Sequence, residues 1–262
     1  MEAPPRPHDL TELDRAESLP RLGGMARPDG VVIVSERYWA FAGTDGTVRE
    51  GTMPSTPRLL RHVPLLRGLI RLGLAIAPLV RGDGVTRARD RVLVVAALLL
   101  PFGFPLLPGE LRLAATVTLT AALLAVLVRG RALRLHGAEH RAITAAEERR
   151  LQGTWDGDDR PTRFSPRCGT NFAALALPTA VGVQALWPYA AGVSVQLGLT
   201  LGALAMTMEL WQLVQESGRR WLRVFLLPGL ALQRLTTREP SLADTRVALA
   251  AVEAVVRREQ AV

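Results

Sequence analysis

The chain has no lysine: all 32 basic residues are arginine, set against 24 carboxylates for a net charge of +8 over 262 residues. That absence excludes a P-loop phosphate site, a Schiff base with pyridoxal phosphate and the strand lysine of a protein kinase. The single cysteine, Cys168, allows neither an internal disulfide nor an all-cysteine zinc or iron–sulfur site, so a metal must draw on histidine or carboxylate. Serine elbows of the G-x-S-x-G kind are also missing. With 48% hydrophobic residues, the composition excludes a disordered tail protein.

Charge is missing from long stretches too. Residues 92–108 and 113–128 carry none, and Tyr189 is the one ionisable side chain in 172–208. At about 1.5 Å per residue, roughly 17 helical residues cover most of a ~30 Å hydrocarbon core. The expected fold class is therefore mainly α: a multi-pass membrane protein with two transmembrane hairpins, four spans in all, plus a small N-terminal β element and cytoplasmic helices. The hairpin turns are expected at Gly109–Arg112 and around Trp187-Pro188-Tyr189. The alternative is a soluble helical bundle buried on every side. Arginine placement favours the membrane, because segments 81–91, 129–171 and 215–262 hold four, nine and eight arginines, whereas the two turns hold only Arg112. By the positive-inside rule both termini and the central loop are cytoplasmic. The expected partner is membrane lipid. Nucleic acid is not expected, since the arginines lack interleaved base-stacking aromatics, and self-association into a homo-oligomer stays open.

The remaining segments order as follows. Residues 1–22 lack an apolar core of signal length and are expected as a frayed leader. Residues 23–57 hold the β element, with β-prone runs Val31–Val34 and Arg37–Ala42 and a hairpin-type turn at Asp45-Gly46. Residues 58–90 are leucine-rich with spaced arginines, among them Arg67 and Arg71 on one helical face. They fit an interfacial helix or, equally by pattern, a helix packed on the protein. The four-span core covers 91–214, including the cytoplasmic helix-loop 129–171. In 215–262, Trp221–Leu232 is too short to span and reads as interfacial or re-entrant, and an amphipathic helix follows Pro240.

Chemistry concentrates after the second span, where RGRALRLHGAEHRAITAAEERR reads as a helix continuing into the cytoplasm. At about 100° per residue, His136, Glu139, His140 and Glu147 share one stripe. HGAEH is an H-x-x-E-H string, in which histidines one turn apart bind Zn²⁺ and the glutamate activates a water. The competing reading is a polar helix face holding chance histidines. Further ligands are expected from Cys168, beside a helix start that favours thiolate, and from Glu209 near the cytoplasmic end of the fourth span. Cys168 can also be a small buried residue or a nucleophile, and Glu209 a snorkelling carboxylate.

The strings HGAEHRAIT, PRCGTNF and ALQRLTTREPSLADTRVALAAVE, with PLLRGLIRL upstream, together resemble the YqhQ-like bacterial membrane family, labelled as predicted metal-dependent enzymes. The resemblance runs from about Gly24 to Val256. It implies a multi-pass membrane fold with His136, Glu139, His140, Glu147, Cys168, Glu209 and Glu239 as the matching polar positions. Two departures stand out: Ser165 replaces a family histidine, and LGGMARPDG is a shortened N-terminal stretch without its glutamate.

These readings lead to a membrane-embedded metal-dependent hydrolase at the cytoplasmic face. His136 and His140, with Cys168 or Glu209, hold a divalent ion, zinc by preference, and Glu139 is the general base. The substrate class is open between a peptide and a lipid-linked amide or ester. The alternative function is a non-catalytic scaffold or assembly factor whose polar cluster locks helices together.

Overall fold

The computed structural model describes residues 9–54, 63–81, 88–104, 107–128, 131–185, 192–217 and 220–261. It is mostly helical, with one small antiparallel sheet, and separates into two compact units.

The first unit is built on a four-stranded meander in sequence order: β1 (Gly23–Arg27), β2 (Gly30–Val34), β3 (Tyr38–Gly43) and β4 (Val48–Thr52). Two-residue turns set the register, pairing Arg27 with Gly30 and Val34 with Trp39. Alternation then sends Val31, Ile33, Ala40 and Ala42 to one face, where all four are buried. The turn before β4 is made by Gly46, at φ +84°, in the left-handed region glycine tolerates.

Against that face lie α5 (Ala132–Glu147) and α10 (Leu242–Gln260). Helix α5 offers the small residues Ala138, Ala142 and Ala145 at helical spacing, so its backbone approaches closely. Helix α10 supplies Leu249, Val252, Val255 and Val256, at most 1% exposed. A capping box starts α10: the Ser241 hydroxyl accepts from the Asp244 N–H, and the Asp244 carboxylate accepts from the Ser241 N–H. The expected C-terminal amphipathic helix is thus present.

One expectation for this unit needs correction. Residues 9–22 are not a frayed leader. They form α1 (Thr11–Arg15), with Leu10 and Leu13 fully buried in the same core, each side chain contributing about 1.5–3 kcal/mol. Asp14 further ties them to α6 (Leu151–Asp156) by accepting from the Leu151 and Gln152 N–H groups.

The second unit is helical: α2 (Leu66–Arg81), α3 (Ala88–Gly103), α4 (Gly109–Val128), α7 (Gly169–Ala185), α8 (Val193–Glu216), a 3₁₀ helix (Arg220–Leu226) and most of α9 (Leu227–Thr236), whose residues from Arg234 on belong to the first unit. Helix α7 packs along α8, and α2 also lies on α8. Of the four expected spans, one is long and apolar enough to cross a bilayer among the described residues: Ser194–Gln215, with mean hydropathy 1.4. Only 28% of its apolar stretch is buried, unlike the core helix of a soluble protein. Gly169–Val183 is a shorter apolar helix. The turn expected at Gly109–Arg112 is instead the first turn of α4, following Pro108, with Glu110 placed where the helix dipole favours an acid. The turn around Trp187-Pro188-Tyr189 lies outside the described residues.

Candidate metal centre

The H-x-x-E-H string occupies the middle of α5. Gly137 is essential to its surroundings: a Cβ there would sit 2.2 Å from the carbonyl oxygen of Arg238, so the 236–240 segment packs directly on the helix backbone. The Arg238 N–H donates to the Leu133 carbonyl at 2.9 Å and fixes that packing.

Each histidine is oriented by a main-chain carbonyl. His136 Nδ1 lies 2.8 Å from the Thr236 oxygen, and His140 Nδ1 lies 2.7 Å from the Arg163 oxygen. A carbonyl only accepts, so in a neutral ring the proton belongs on Nδ1 and Nε2 carries the lone pair. The two rings meet edge-on, with centroids 4.5 Å apart. Both Nε2 atoms lie 4.0 Å from the same oxygen, Oε2 of Glu139. That is too long for a hydrogen bond and leaves room for an atom between them.

Glu139 is 4% exposed and accepts no hydrogen bond among the described residues. Burial pushes its carboxyl up to about 7, while the nearby His136 pulls the other way. On its other side stands β1, where a Cβ added at Gly24 would lie 2.8 Å from both Cγ and Oε1 of Glu139. The carboxylate is thus held between a glycine backbone and two imidazoles.

Cys168 is buried and immediately precedes α7, as its neighbouring helix-start residues suggest. His136 and His140 belong to the first unit and Cys168 to the second. The two imidazoles are donors that suit Zn²⁺, whose bonds run ~2.0–2.1 Å to nitrogen. The chemistry of the group therefore fits a divalent ion.

Glu209 carries a different bond set. Its Oε1 accepts from Arg67 Nε at 2.9 Å and from the Leu65 N–H at 3.1 Å. Within the helical unit the Glu209 carboxylate is thus paired with the Arg67 guanidinium, a charge-assisted bond. Leu65 stands at φ 64°, a strained conformation for leucine, and the Glu209 bond helps hold it. Glu147, on the same stripe of α5, is exposed at its C-terminal end.

Of an outer layer, the sequence reading had only Glu239, through the resemblance. Arg141, itself buried, donates through Nη2 to Glu239 Oε1 at 2.6 Å and through Nε to the Pro161 carbonyl at 3.0 Å. Arg163 donates to the other Glu239 oxygen at 3.0 Å. Although burial works to raise it, the Glu239 carboxyl is held below its usual range by these two arginines. The three side chains bind together the two segments whose carbonyls orient the histidines. A cavity of about 250 Å³ in this unit, lined by Arg141, Asp159, Arg160, Glu239 and Ser241 among others, includes none of the H-x-x-E-H side chains.

A family model described as a protein of unknown function, DUF1385, matches residues 94–258. No curated protein and no solved structure matches the chain.

Proposed function

We propose, from the premise that this chain belongs to the DUF1385 family of proteins of unknown function, that it is a membrane-embedded, metal-dependent hydrolase working at the cytoplasmic face. The observation that carries this reading is the convergence on Glu139: two histidines, each held by a main-chain carbonyl, place their Nε2 atoms at equal distances of 4.0 Å from one buried carboxylate oxygen. In this reading His136 and His140 hold the ion, with Cys168 as the expected further ligand and zinc as the best match to such donors. When bound, zinc supplies Lewis-acid polarisation of the scissile carbonyl.

The chain's own residues do the rest. Glu139 Oε2 takes a proton from the attacking water as the water oxygen bonds to the carbonyl carbon. It then delivers that proton to the leaving nitrogen or oxygen as the scissile bond breaks. The Thr236 and Arg163 carbonyls keep both rings oriented throughout, and Gly24 keeps the carboxylate in place.

The membrane part of the reading extends the one clear span to four, in α3, α4, α7 and α8, with both termini and the central loop cytoplasmic. Exposed Leu99, Leu113, Val117, Leu177 and Val181 support it, since soluble monomers rarely leave so many large apolar side chains uncovered on one unit. The arginine imbalance along the chain and the likeness to YqhQ-like membrane proteins point the same way.

A second reading has one observation in its favour. His140 is 2% exposed and its ring, through Arg163, helps fasten a loop to α5, as a structural metal or polar lock would. Detergent-purified protein loaded with zinc separates the two. A hydrolase requires Glu139→Gln to keep metal and thermal stability yet lose hydrolysis of p-nitrophenyl acetate and of fluorescein-labelled casein. Equal hydrolysis by wild type and Glu139→Gln, or none by either, leaves only the structural lock.

A further inference from the structure

Strand β1 is an edge of the sheet, and its pairing with β2 fixes which of its amides point outward. Arg27 and Gly30 flank the two-residue turn and form a hydrogen-bonded pair. The alternation of an antiparallel ladder makes Met25–Val32 and Gly23–Val34 hydrogen-bonded pairs as well. Gly24 and Ala26 therefore turn their N–H and C=O groups away from β2. No hydrogen bond to these groups occurs among the described residues, and Gly24 is exposed. The same Gly24 touches Glu139, as the 2.8 Å approach of its hypothetical Cβ shows. An open strand edge thus runs directly past the carboxylate assigned as the base.

We infer that the substrate is an extended polypeptide that adds to β1 as a fifth strand, pairing its main chain with Gly24 and Ala26 beside Glu139. This rests on the hydrolase reading and names its substrate class. Two adjacent outward residues present alternating donors and acceptors about 6.8 Å apart, the two-residue repeat of an extended chain. A peptide backbone satisfies both kinds of group. A lipid ester offers acceptors alone and would leave the Gly24 and Ala26 carbonyls without donors. The glycine adds to the fit, since a side chain at position 24 would push into Glu139 on the inner face. The other edge, β4, lies beside β3 and α10 with no residue of the H-x-x-E-H string against it among the described residues, and serves as the internal comparison.

The test uses the full-length, zinc-loaded Glu139→Gln protein in detergent, so that a bound chain is not cut, with casein as the unfolded polypeptide probe. Casein should slow amide hydrogen exchange at Gly24 and Ala26 and leave β4, Val48–Thr52, unchanged. Ala26→Pro removes one outward N–H while sparing the β1–β2 ladder, because proline is tolerated where an edge N–H faces out. It should weaken casein binding by about three- to tenfold, the worth of one hydrogen bond, with metal content and thermal midpoint retained. Should Ala26→Pro fail to fold, exchange at Gly24 and Ala26 in the parent protein still decides. Unchanged exchange there, equal slowing at β4, or slowing by phosphatidylglycerol vesicles in place of casein overturns the inference. The hydrolase reading has its own readout: Glu139-dependent ester cleavage without edge protection keeps the enzyme and sinks the peptide. Absence of any Glu139-dependent cleavage sinks the enzyme, whatever the exchange shows.

Discussion

Replacing Gly24 by alanine probes the contact between β1 and the base with a single methyl group. The added Cβ would stand 2.8 Å from Glu139 Cγ and Oε1 and 3.0 Å from Cδ, closer than real Cβ contacts, so the carboxylate or the strand must move. Overpacking of this kind costs about 1–3 kcal/mol, from which the lower entropy of the unfolded alanine chain returns about 0.4–1 kcal/mol. The net expectation is a loss of roughly 1–2 kcal/mol. The neighbouring Gly23 supplies the control, since its Cβ would meet only Val34 Cγ2 at 3.5 Å, an ordinary contact. Gly23→Ala should therefore be neutral or slightly stabilising. Thermal unfolding in detergent, followed beside zinc-dependent hydrolysis, reads both effects. Gly24→Ala should lower the midpoint and also reduce kcat, because the displaced carboxylate no longer faces both imidazoles. Combining it with Glu139→Asp, which withdraws the carboxylate by one methylene, should restore the midpoint without restoring kcat. Indistinguishable behaviour of Gly23→Ala and Gly24→Ala would refute the argument that the strand holds the base.

Three further outcomes follow from the same geometry. Gly137→Ala should destabilise by more than about 1 kcal/mol despite alanine's better helix propensity, because its Cβ would meet the Arg238 carbonyl at 2.2 Å; a thermal midpoint equal to wild type would contradict this. Glu239→Gln should weaken zinc affinity about 10- to 100-fold by freeing Arg141 and Arg163, measured by competition with a chelating dye; unchanged affinity would remove the outer layer from the account. Asp244 is held below its ordinary pKa: burial opposes this, but bonds from Ser241 and Arg131 outweigh it. A depressed carboxyl stabilises the fold above the ordinary value of about 3.9, and that contribution disappears as pH falls through the folded-state value. The midpoint difference between wild type and Asp244→Asn should accordingly be large at pH 7 and shrink on acidification, and a difference constant with pH would disprove the linkage.

Much of this was legible in the chain because it rests on local pattern. Helix α10 announces itself by Ser241, Asp244 and a regular apolar spacing, and the β-branched runs mark β2 and β3. The histidine pair and Glu139 share a helical face by arithmetic alone. Strand β1 was missed because Gly23, Gly24, Met25 and Ala26 have little intrinsic strand preference, and pairing with β2 imposes the conformation. Leu10 and Leu13 were missed for a similar reason: α1 has only five residues, and its burial depends on α6 and α10, which arrive more than a hundred residues later. The Thr236 and Arg163 carbonyls carry no sequence signature, since any residue supplies one. The pairing of Glu209 with Arg67, more than a hundred residues away, likewise leaves no mark in the sequence.

Cobalt titration tests the central claim most directly, because Co²⁺ occupies zinc sites and reports its ligands in the visible spectrum. The account predicts one equivalent bound in a tetrahedral site, a thiolate-to-cobalt band that vanishes in Cys168→Ser, and loss of binding in His140→Ala. Failure of the wild-type protein to bind cobalt or zinc, or a cobalt spectrum indifferent to Cys168 and His140, would contradict it.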